Sequence, residues 1–296
     1  MSTPPAESPD AADAGTVRPR SRPALSPSRA GDFKQCPLLY RFRAVDRIPE
    51  VPSKAQLKGT VVHAALESLY TLPAPERVPA RAVSLVDPAW EQLLTEAPEI
   101  ADTVPTGERA AFLAEARALI EGYYRLEDPT RFSPESCELR VETELDNGVV
   151  LRGFVDRIDV APNGHLRVVD YKTGRAPREM SESKALFQMK FYALVLLRTR
   201  GIVPAQLRLI YLADAEILTY APDEAELLRF ERTLSAIWKA ILAAGATGDF
   251  RPNPGRLCSW CDHKVRCPAF GGTPPPYPGW PESPADEVQK FEEIVE

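Results

Sequence analysis

The chain has 296 residues, of which 44% are hydrophobic and 26% are charged, a composition typical of a globular protein with one large domain or two small ones. Its formal net charge of −6 argues against a protein that coats nucleic acid without specificity, but it leaves room for a local basic groove. The apolar runs are too short to cross a bilayer, and the amino-terminal segment lacks the apolar stretch of a secretory signal. We therefore expect a cytoplasmic protein without membrane contact, whose five cysteines stay reduced.

The first half of the chain has the pattern of a helical region. Residues 1–24 are rich in Pro, Ala and Ser, and we expect them to be disordered. Ser26 followed by Pro27 is typical of the first residues of a helix. Apolar residues that recur with helical spacing predict further helices over residues 57–71, near 88–98 and over 106–127.

Near residue 136 the pattern changes to the alternation typical of β-strands. Turn signals at Asp146-Asn147-Gly148 and Pro162-Asn163-Gly164 divide the segment into three antiparallel strands. A helix over residues 182–200, two short strands and a helix over residues 223–246 follow. This order predicts an α/β fold in which a mixed β-sheet is flanked by helices.

Two acidic residues and a lysine on neighbouring strands carry the chemistry of this pattern. Asp170 and Lys172 are two residues apart in one strand, so their side chains project from the same face. The intervening turn brings Asp156 alongside on the preceding strand. Carboxylate oxygens suit Mg²⁺ or Mn²⁺, and a cation held here would polarise a phosphodiester and lower the pKa of a bound water. Lys172 would orient that water or stabilise the transition state.

The alternative for these residues is a pair of surface salt bridges, Asp156 with Arg157 and Asp170 with Lys172, on an exposed sheet face. The apolar residues that precede Asp170 favour the catalytic interpretation, because they place its carboxylate at the end of a buried strand. Gly153 and Gly174 bracket the segment, where a close backbone approach would be needed.

The stretches "GFVDRID" (153–159) and "VVDYKTG" (168–174) resemble the core of the PD-(D/E)XK nucleases, specifically of the RecB-type exonuclease branch. The stretches "GTVVHAALE" (59–67), "RVETEL" and "QMKFYALVL" match further motifs of that branch in the same order. The resemblance covers residues 25–270. It implies a restriction-endonuclease-like fold with an N-terminal helical segment and a C-terminal cysteine loop, followed over residues 271–296 by a Pro-rich linker and an acidic tail.

The same resemblance implies roles for individual residues. It implies a metal site formed by His63, Asp156, Asp170 and Tyr171, and catalytic residues Asp156, Asp170, Lys172, Glu142, Gln188 and Tyr192. Glu144 is the alternative to Glu142 as the site acid, because the two residues lie on the same strand face. His63 could instead pair with Glu67 one turn later, and the glutamine and tyrosine could be ordinary packing residues of an amphipathic helix.

Three cysteines near the carboxyl end have the spacing of metal ligands. Cys258, Cys261 and Cys267 form a C-x₂-C-x₅-C pattern, and a CxxC step lets two thiolates reach one ion. A closed site needs a fourth ligand. His263 would complete a Cys₃His zinc site, and Cys36 far upstream is the other candidate.

The resemblance favours Cys36 as the fourth ligand. AddB-type subunits and the iron–sulfur nucleases of CRISPR adaptation hold a [4Fe–4S] cluster with one cysteine before the nuclease core and three after it. By this resemblance Cys36, Cys258, Cys261 and Cys267 bind a [4Fe–4S] cluster. The cluster would join two distant segments and restrict the unfolded chain, as a clasp around the domain. Zinc bound through His263 stays the alternative.

The leading functional hypothesis is a metal-dependent DNA exonuclease that acts on single strands or DNA ends in repair or recombination. Phosphodiester hydrolysis follows from the carboxylate–lysine site, whereas DNA and ends follow from the resemblance. A binding module that holds DNA ends or a helicase without cutting, and a zinc-stapled scaffold protein, are the alternatives. The sequence contains no phosphate-loop motif, so any unwinding would come from a helicase in trans. The basic segment 29–58, with Tyr40 and Phe42 interleaved, could line the path of the DNA strand.

Overall fold

The structure is a computed structural model that describes residues 23–176 and 182–280. The predicted disordered tail therefore lies outside the described residues except for its last two, and so does the acidic tail from residue 281. No helix in the two described ranges combines the length and the apolar character that crossing a membrane requires.

The described residues form one mixed β-sheet. Its strands are β1 Ala24–Leu25, β2 Ser136–Glu144, β3 Val150–Val160, β4 Leu166–Lys172, β5 Gln206–Tyr211 and β6 Glu216–Tyr220. β3 is antiparallel to β2 and β4 and parallel to β1. β4 and β5 are parallel, a pairing that needs a crossover connection, and helix α7 (Glu182–Arg200) lies in that connection. β5 and β6 form an antiparallel pair, and β6 is the edge strand at that end of the sheet.

Helices lie on both faces of the sheet. Besides α7 they are α1 Pro27–Gln35, α2 Pro37–Tyr40, α3 Lys54–Thr71, α4 Pro79–Ser84, α5 Val86–Glu96, α6 Thr106–Tyr123 and α8 Glu224–Thr247. α1 begins as the sequence predicts, because the Ser26 hydroxyl accepts a hydrogen bond from the Arg29 amide and Pro27 lies in the first turn. α3 begins at Lys54, earlier than predicted, because Ser53 and Gln56 form a capping box.

Two apolar cores sandwich the sheet. One core joins it to α1, α2, α7 and α8, and the other joins it to α3, α5 and α6. Along β4 the cores alternate, since Val168 is buried in the first and Val169 and Tyr171 are buried in the second. Asp170 and Lys172 therefore project on the same side as Val168, toward α7.

β3 and β4 separate where the acidic residues lie. β2 pairs along one edge of β3, and the other edge is shared by β1 at Val150 and Leu151 and by β4 from Arg157 onward. Within the described chain, residues 152–156 of β3 have no strand partner on that second edge. At the closed end of this gap the Asp156 side chain accepts a hydrogen bond from the Tyr171 amide at 2.7 Å. A carboxylate thus takes the place of a ladder hydrogen bond.

The first residues of the predicted linker pack against α8. The Tyr277 hydroxyl donates a hydrogen bond to the Gly245 carbonyl at 2.6 Å. The Trp280 ring lies over the same glycine, where a Cβ atom would be 2.3 Å from the ring. Residues 271–280 therefore extend the folded body beyond the cysteine loop.

The predicted α/β fold, a mixed sheet flanked by helices, is confirmed. α7 has the predicted bounds of residues 182–200, and the strands agree with their predicted segments at both hairpins. β1 was not predicted, because a two-residue strand is defined by its pairing with β3 and has no period of its own.

Candidate active site

Asp170, Lys172 and Gln188 form a closed set of polar contacts at the end of β4. Lys172 Nζ is 2.6 Å from Asp170 Oδ2 and donates a hydrogen bond to Gln188 Oε1 at 2.9 Å. Gln188 Nε2 donates in turn to Asp170 Oδ1 at 2.9 Å. Asp170 is only 1% exposed, so this trio is not the solvated surface pair of the alternative interpretation. The contacts fix the carboxylate and the ammonium group relative to α7.

Tyr192 follows Gln188 by one helical turn and closes the site toward β3. Its hydroxyl accepts a hydrogen bond from Gln188 Nε2 at 3.0 Å. Its ring lies against Gly153, where a Cβ atom would be 2.7 Å from ring atom Cε1. Gly153 therefore permits a close approach of the kind that the sequence suggests. Gly174 does not, since a Cβ atom there would meet no described atom within 4 Å.

His63, Glu138 and Asp156 bring three potential metal ligands together. One ligand atom from each residue lies within 4.8 Å of the other two. His63 Nδ1 is 3.5 Å from Asp156 Oδ2 and 3.7 Å from Glu138 Oε1, so the histidine faces these acids and the predicted alternative pairing with Glu67 is not its contact here. Nitrogen and carboxylate oxygens in one cluster fit a divalent cation.

The other nitrogen of His63 fixes the orientation of the ring. His63 Nε2 lies 3.0 Å from the main-chain oxygen of Tyr171. A carbonyl oxygen only accepts hydrogen bonds, so Nε2 carries the hydrogen, and in the neutral ring Nδ1 presents its lone pair to the carboxylates. A second nitrogen held by a carbonyl is the usual arrangement of a metal-ligating histidine.

The charges of this cluster shift the pKa values of its members. Burial and the neighbouring Asp170 carboxylate raise the pKa of Asp156 to about 7. Burial by itself would lower the pKa of His63, but Glu138, Asp156 and Asp170 outweigh it and raise this pKa to about 9. Burial likewise opposes the charge of Lys172, and the attraction of Asp170 outweighs it, so the pKa of Lys172 is raised. The acidic residues thus keep a proton on His63 when no cation compensates them.

Tyr171 can take part in the site only through its main chain. Its side chain is buried in the second core, where its hydroxyl accepts a hydrogen bond from Arg157 Nη1. Its carbonyl faces His63 and its amide bonds Asp156. The predicted metal-site residue therefore holds two site residues in place through backbone groups.

Glu142, the predicted site acid, lies away from the cluster, and Glu138 faces Asp156 instead. Glu142 Oε2 is 2.6 Å from Arg152 Nε and 2.8 Å from Arg140 Nη2, and these contacts lower its pKa. In the ladder Cys137 pairs with Arg157 and Leu139 pairs with Val155, so Glu138 between them lies across from Asp156, whereas Glu142 pairs with Arg152. Four residues of strand separate the two acids by about 13 Å. Glu144, the alternative acid, lies further still along β2.

A buried arginine lies beneath the site. Arg157 follows Asp156 in β3, is fully buried, and donates hydrogen bonds to three tyrosine hydroxyls, those of Tyr70, Tyr123 and Tyr171. Its Nη1 is also 2.8 Å from the Glu127 carboxylate. A buried charge must be paired, and here the partners come from α3, β4 and the end of α6. The surface pairing of Arg157 with Asp156 that the sequence left open therefore does not occur.

The sequence of residues 24–268 matches the model of the PD-(D/E)XK nuclease superfamily. The chain belongs to this superfamily. Among curated proteins, the Gene 69 protein of Mycobacterium phage D29 is 25% identical over an alignment of 278 residues, and the match covers 84% of this chain and 97% of that protein. The Gene 69 protein of Mycobacterium phage L5 is 32% identical over 138 residues, which are 46% of this chain and 45% of that protein.

A solved structure shares the fold of this nuclease. The crystal structure of a candidate exonuclease from Eubacterium rectale superimposes with a TM-score of 0.57 at 16% sequence identity. The match covers 81% of this chain and 87% of that chain. The restriction-endonuclease-like fold implied by the sequence motifs is thereby confirmed.

The four cysteines of the predicted cluster line one cavity of the nuclease. Cys36 lies in the break between α1 and α2, and Cys258, Cys261 and Cys267 lie in the loop after α8. The Asn253 amide donates a hydrogen bond to Cys36 Sγ at 3.4 Å, which joins residues 217 positions apart in the chain. All four are free thiols. Burial, with Cys258 and Cys36 nearby, raises the pKa of Cys261. Thiolates are ligands of iron–sulfur clusters and of zinc, but among the described residues the group of three potential ligands within 4.8 Å of one another is His63, Glu138 and Asp156, without a cysteine.

His263 lies beside this cavity and makes a contact of its own. It is buried, and its Nε2 is 2.6 Å from Glu50 Oε1. Glu50 is in turn 2.7 Å from Arg43, which also pairs with Asp32 of α1. In the described part of the chain Nδ1 of His263 is buried without a hydrogen-bond partner. The alternative zinc site would have to use Nδ1, because Nε2 is directed at Glu50.

Two aromatic residues of the basic segment are not available to bind a strand. Tyr40 and Phe42 are buried in the first core, at 3% and 2% exposure. The prediction that Tyr40 and Phe42 line the path of a DNA strand is therefore wrong, because an aromatic ring must be exposed to stack on a base. Arg29 and Lys34 of the same segment do line an open groove between α1 and β3.

Proposed function

We propose that this nuclease is a metal-dependent deoxyribonuclease that hydrolyses phosphodiester bonds at single-stranded DNA or DNA ends. The observation that carries the proposal is the convergence of His63, Glu138, Asp156 and Asp170 beside the Lys172 ammonium group at the fork between β3 and β4. A binding module without activity has no need to hold a lysine against a buried carboxylate at this position.

His63, Glu138 and Asp156, with Asp170 beside them, are the residues that would hold Mg²⁺ or Mn²⁺. Their donor set and the raised pKa of His63 support this assignment, because both indicate an excess of negative charge at one point. Such a cation supplies Lewis-acid polarisation of the phosphate and a lowered pKa of water.

The protein's own groups would position the reactants. Lys172 is held by Asp170 and Gln188, so its ammonium group has a fixed direction from which to stabilise charge on a phosphate oxygen. Gln188 and Tyr192 form the wall of the site on the α7 side. Their hydrogen bonds to Asp170 and to each other would keep the carboxylate oriented while DNA binds.

The preference for ends or single strands, and a role in repair or recombination, follow from the resemblance of the motifs to the RecB-type branch. The candidate exonuclease from Eubacterium rectale, which shares the fold, is in keeping with exonuclease activity. The chain carries no phosphate-loop motif, so we propose that a helicase acting in trans supplies unwound DNA. Free thiols suit a reducing compartment such as the cytoplasm.

We further propose that Cys36, Cys258, Cys261 and Cys267 bind a [4Fe–4S] cluster. Their common cavity and the backbone amides that point at two of the sulfurs support the proposal. The cluster would have no part in hydrolysis. It would join the segment before the nuclease core to the segment after it.

End-labelled oligonucleotides test the proposed activity. Wild-type protein and Asp170→Ala are incubated with single- and double-stranded DNA, labelled at the 5′ or the 3′ end, in Mn²⁺ or Mg²⁺. We expect mononucleotide or short products from the wild type and at least a hundredfold slower cleavage by the variant. Equal rates in both proteins would show that the activity belongs to a contaminant.

A further inference from the structure

A large aromatic side chain is exposed in the middle of the central strand. Phe154 is 54% exposed, although its neighbours Gly153 and Val155 are buried. It lies in the gap where β3 has no strand partner between β1 and β4. The ring belongs to neither apolar core, so it is free to contact a ligand.

Two arginines flank this ring. Arg140 lies directly across from Phe154 on β2, and Arg152 lies two residues before it on the same face of β3. Glu142 holds both guanidinium groups through the same carboxylate oxygen, at 2.8 Å from Arg140 and 2.6 Å from Arg152. We call Arg140, Phe154 and Arg152 the Phe154 surface. Glu142 thus orients the cations of this surface.

The Phe154 surface borders a groove that leads to the active site. Arg152, Gly153 and Phe154 form one wall, and residues of α1 and α7 form the other. On that second wall Lys34 lies over the ring of Phe187, 4.6 Å from its centroid. Gln188 and Tyr192, which contact Asp170 or each other, also line the groove. The groove therefore extends as far as Gln188, whose side chain contacts the Asp170 carboxylate.

The charge of the groove is opposite to that of the chain. Its basic lining residues are Arg29, Lys34 and Arg152, and its acidic one is Asp32, which is paired with Arg43. The chain as a whole has a net charge of −6. A local excess of cations on an acidic protein marks this groove as the place for a polyanion.

We propose that the groove binds an unpaired DNA strand, with a base stacked on Phe154 and its flanking phosphates on Arg140 and Arg152, and directs it to the carboxylates. The inference rests on the proposed nuclease function. Bases in a duplex are stacked on each other, so an exposed ring between two arginines fits a single strand. Stacking accepts every base, so this contact would impose no sequence preference.

The same groove shares residues with the cysteine cavity. Gln35, next to Cys36, and Leu257, next to Cys258, line both. A cluster bound at the cysteines, as proposed above, would therefore also hold two residues of the groove wall in place.

Binding to a fluorescent single-stranded oligonucleotide tests the proposal in a cleavage-inactive Asp170→Asn background. We expect Phe154→Ala to weaken binding about 5- to 150-fold, the effect of losing one base–aromatic stack, and Phe154→Trp to retain it. Val160→Ala is the matched control, because Val160 is exposed on the same strand but lies at its other end. Arg152→Gln should reduce the slope of log Kd against log salt by about 0.7.

Oligonucleotides with one abasic position separate stacking from a structural effect. If Phe154 stacks on a base, one abasic position weakens binding to the protein with Phe154 and has no further effect on Phe154→Ala. Phe154→Ala that binds as tightly as Val160→Ala would overturn the inference. If the wild type cleaves no DNA but binding still depends on Phe154, hydrolysis is refuted and the strand path stands. If it cleaves DNA and Phe154 has no effect on binding, the strand path alone is refuted.

Discussion

Two glutamates of β2, Glu138 and Glu142, are candidates for the acidic ligand of the metal ion. Glu138 faces His63 and Asp156, whereas Glu142 is neutralised by Arg140 and Arg152. We expect Glu138→Gln to weaken Mn²⁺ binding at least tenfold, because it removes one anionic ligand, and Glu142→Gln to leave it unchanged. Isothermal titration with Mn²⁺ measures both. Weaker binding by the Glu142 variant alone would contradict the assignment.

The pKa values of the cluster predict how cation binding depends on pH. A cation must displace the proton of His63, whose pKa is about 9, and below pH 7 also that of Asp156, whose pKa is about 7. Affinity for Mn²⁺ should therefore rise about tenfold per pH unit between pH 7 and 9, and more steeply below pH 7. His63 lowers the pKa of Asp156, so in His63→Gln the Asp156 proton alone competes with the cation, and the slope below pH 7 should fall from about two protons to about one. An affinity that is constant from pH 6 to 9 would show that neither residue binds the ion.

The sequence predicts most residues of the candidate site, but not all of them. Asp156, Asp170, Lys172 and Gln188 lie together where the motifs place them. Glu138 was missed although a signal existed, since the ladder pairs of the hairpin are symmetric about Asn147 and place Glu138 opposite Asp156. Its backbone is left-handed, with φ of 46°, a conformation that a glutamate rarely adopts and that the strand pattern does not predict. The burial of Arg157 could not be predicted, because its tyrosine partners are distant in the sequence.

At the scale of elements, the contact of α7 with β3 positions Gln188 and Tyr192 beside Asp170. Tyr192 is buried against Gly153, and a Cβ atom at that position would be 2.7 Å from its ring. We expect Gly153→Ala to lower the free energy of unfolding by about 1–3 kcal/mol and to reduce cleavage, because the ring and Gln188 must move away from β3. Chemical denaturation and a cleavage assay measure the two effects.

Gly107→Ala is the control for this substitution. Gly107 lies in the first turn of α6, and a Cβ atom there would meet no described atom within 4 Å. Its free energy of unfolding should change by less than about 0.5 kcal/mol. A Gly153 variant as stable and as active as the Gly107 variant would mean that α7 does not depend on the close approach.

The elements themselves were largely predictable because their signals are local. The Asn-Gly turns set both hairpins, and the cap at Ser26 sets the start of α1. The capping box of Ser53 and Gln56 is an equally local signal, but it was missed, and the start of α3 was predicted three residues too late. The π-helical turn over Arg41–Val45 has no such signal. Phe42 in this turn is buried in the first core, and for that reason the basic segment does not present the aromatic residues that its sequence suggests.

At the scale of the whole molecule, the proposed cluster would join distant segments of the chain through four cysteines. We expect Cys36→Ser to remove the visible absorbance of anaerobically purified protein, because one of four ligands is lost. The variant should also lose on the order of 4 kcal/mol of stability, as for the opening of a long cross-linked loop. Absorbance, iron and zinc analysis and thermal unfolding measure these effects.

Cys137→Ser is the matched control for this experiment. Cys137 lies in β2, and burial raises the pKa of its thiol to about 11, so it is expected to behave as a small apolar residue. It should leave the absorbance and the metal content unchanged. A colourless wild-type protein with one zinc per chain would refute the cluster and favour a zinc site.

Substitution of Lys172 separates the chemical step of hydrolysis from the binding of the metal ion. The ammonium group is 2.6 Å from Asp170 and repels a cation, so Lys172→Met should bind Mn²⁺ at least as tightly as the wild type. Cleavage of labelled single-stranded DNA by this variant should be about 10²- to 10³-fold slower, the cost of removing one preorganised group that stabilises charge. Cleavage at the wild-type rate by Lys172→Met with Mn²⁺ bound would contradict the account.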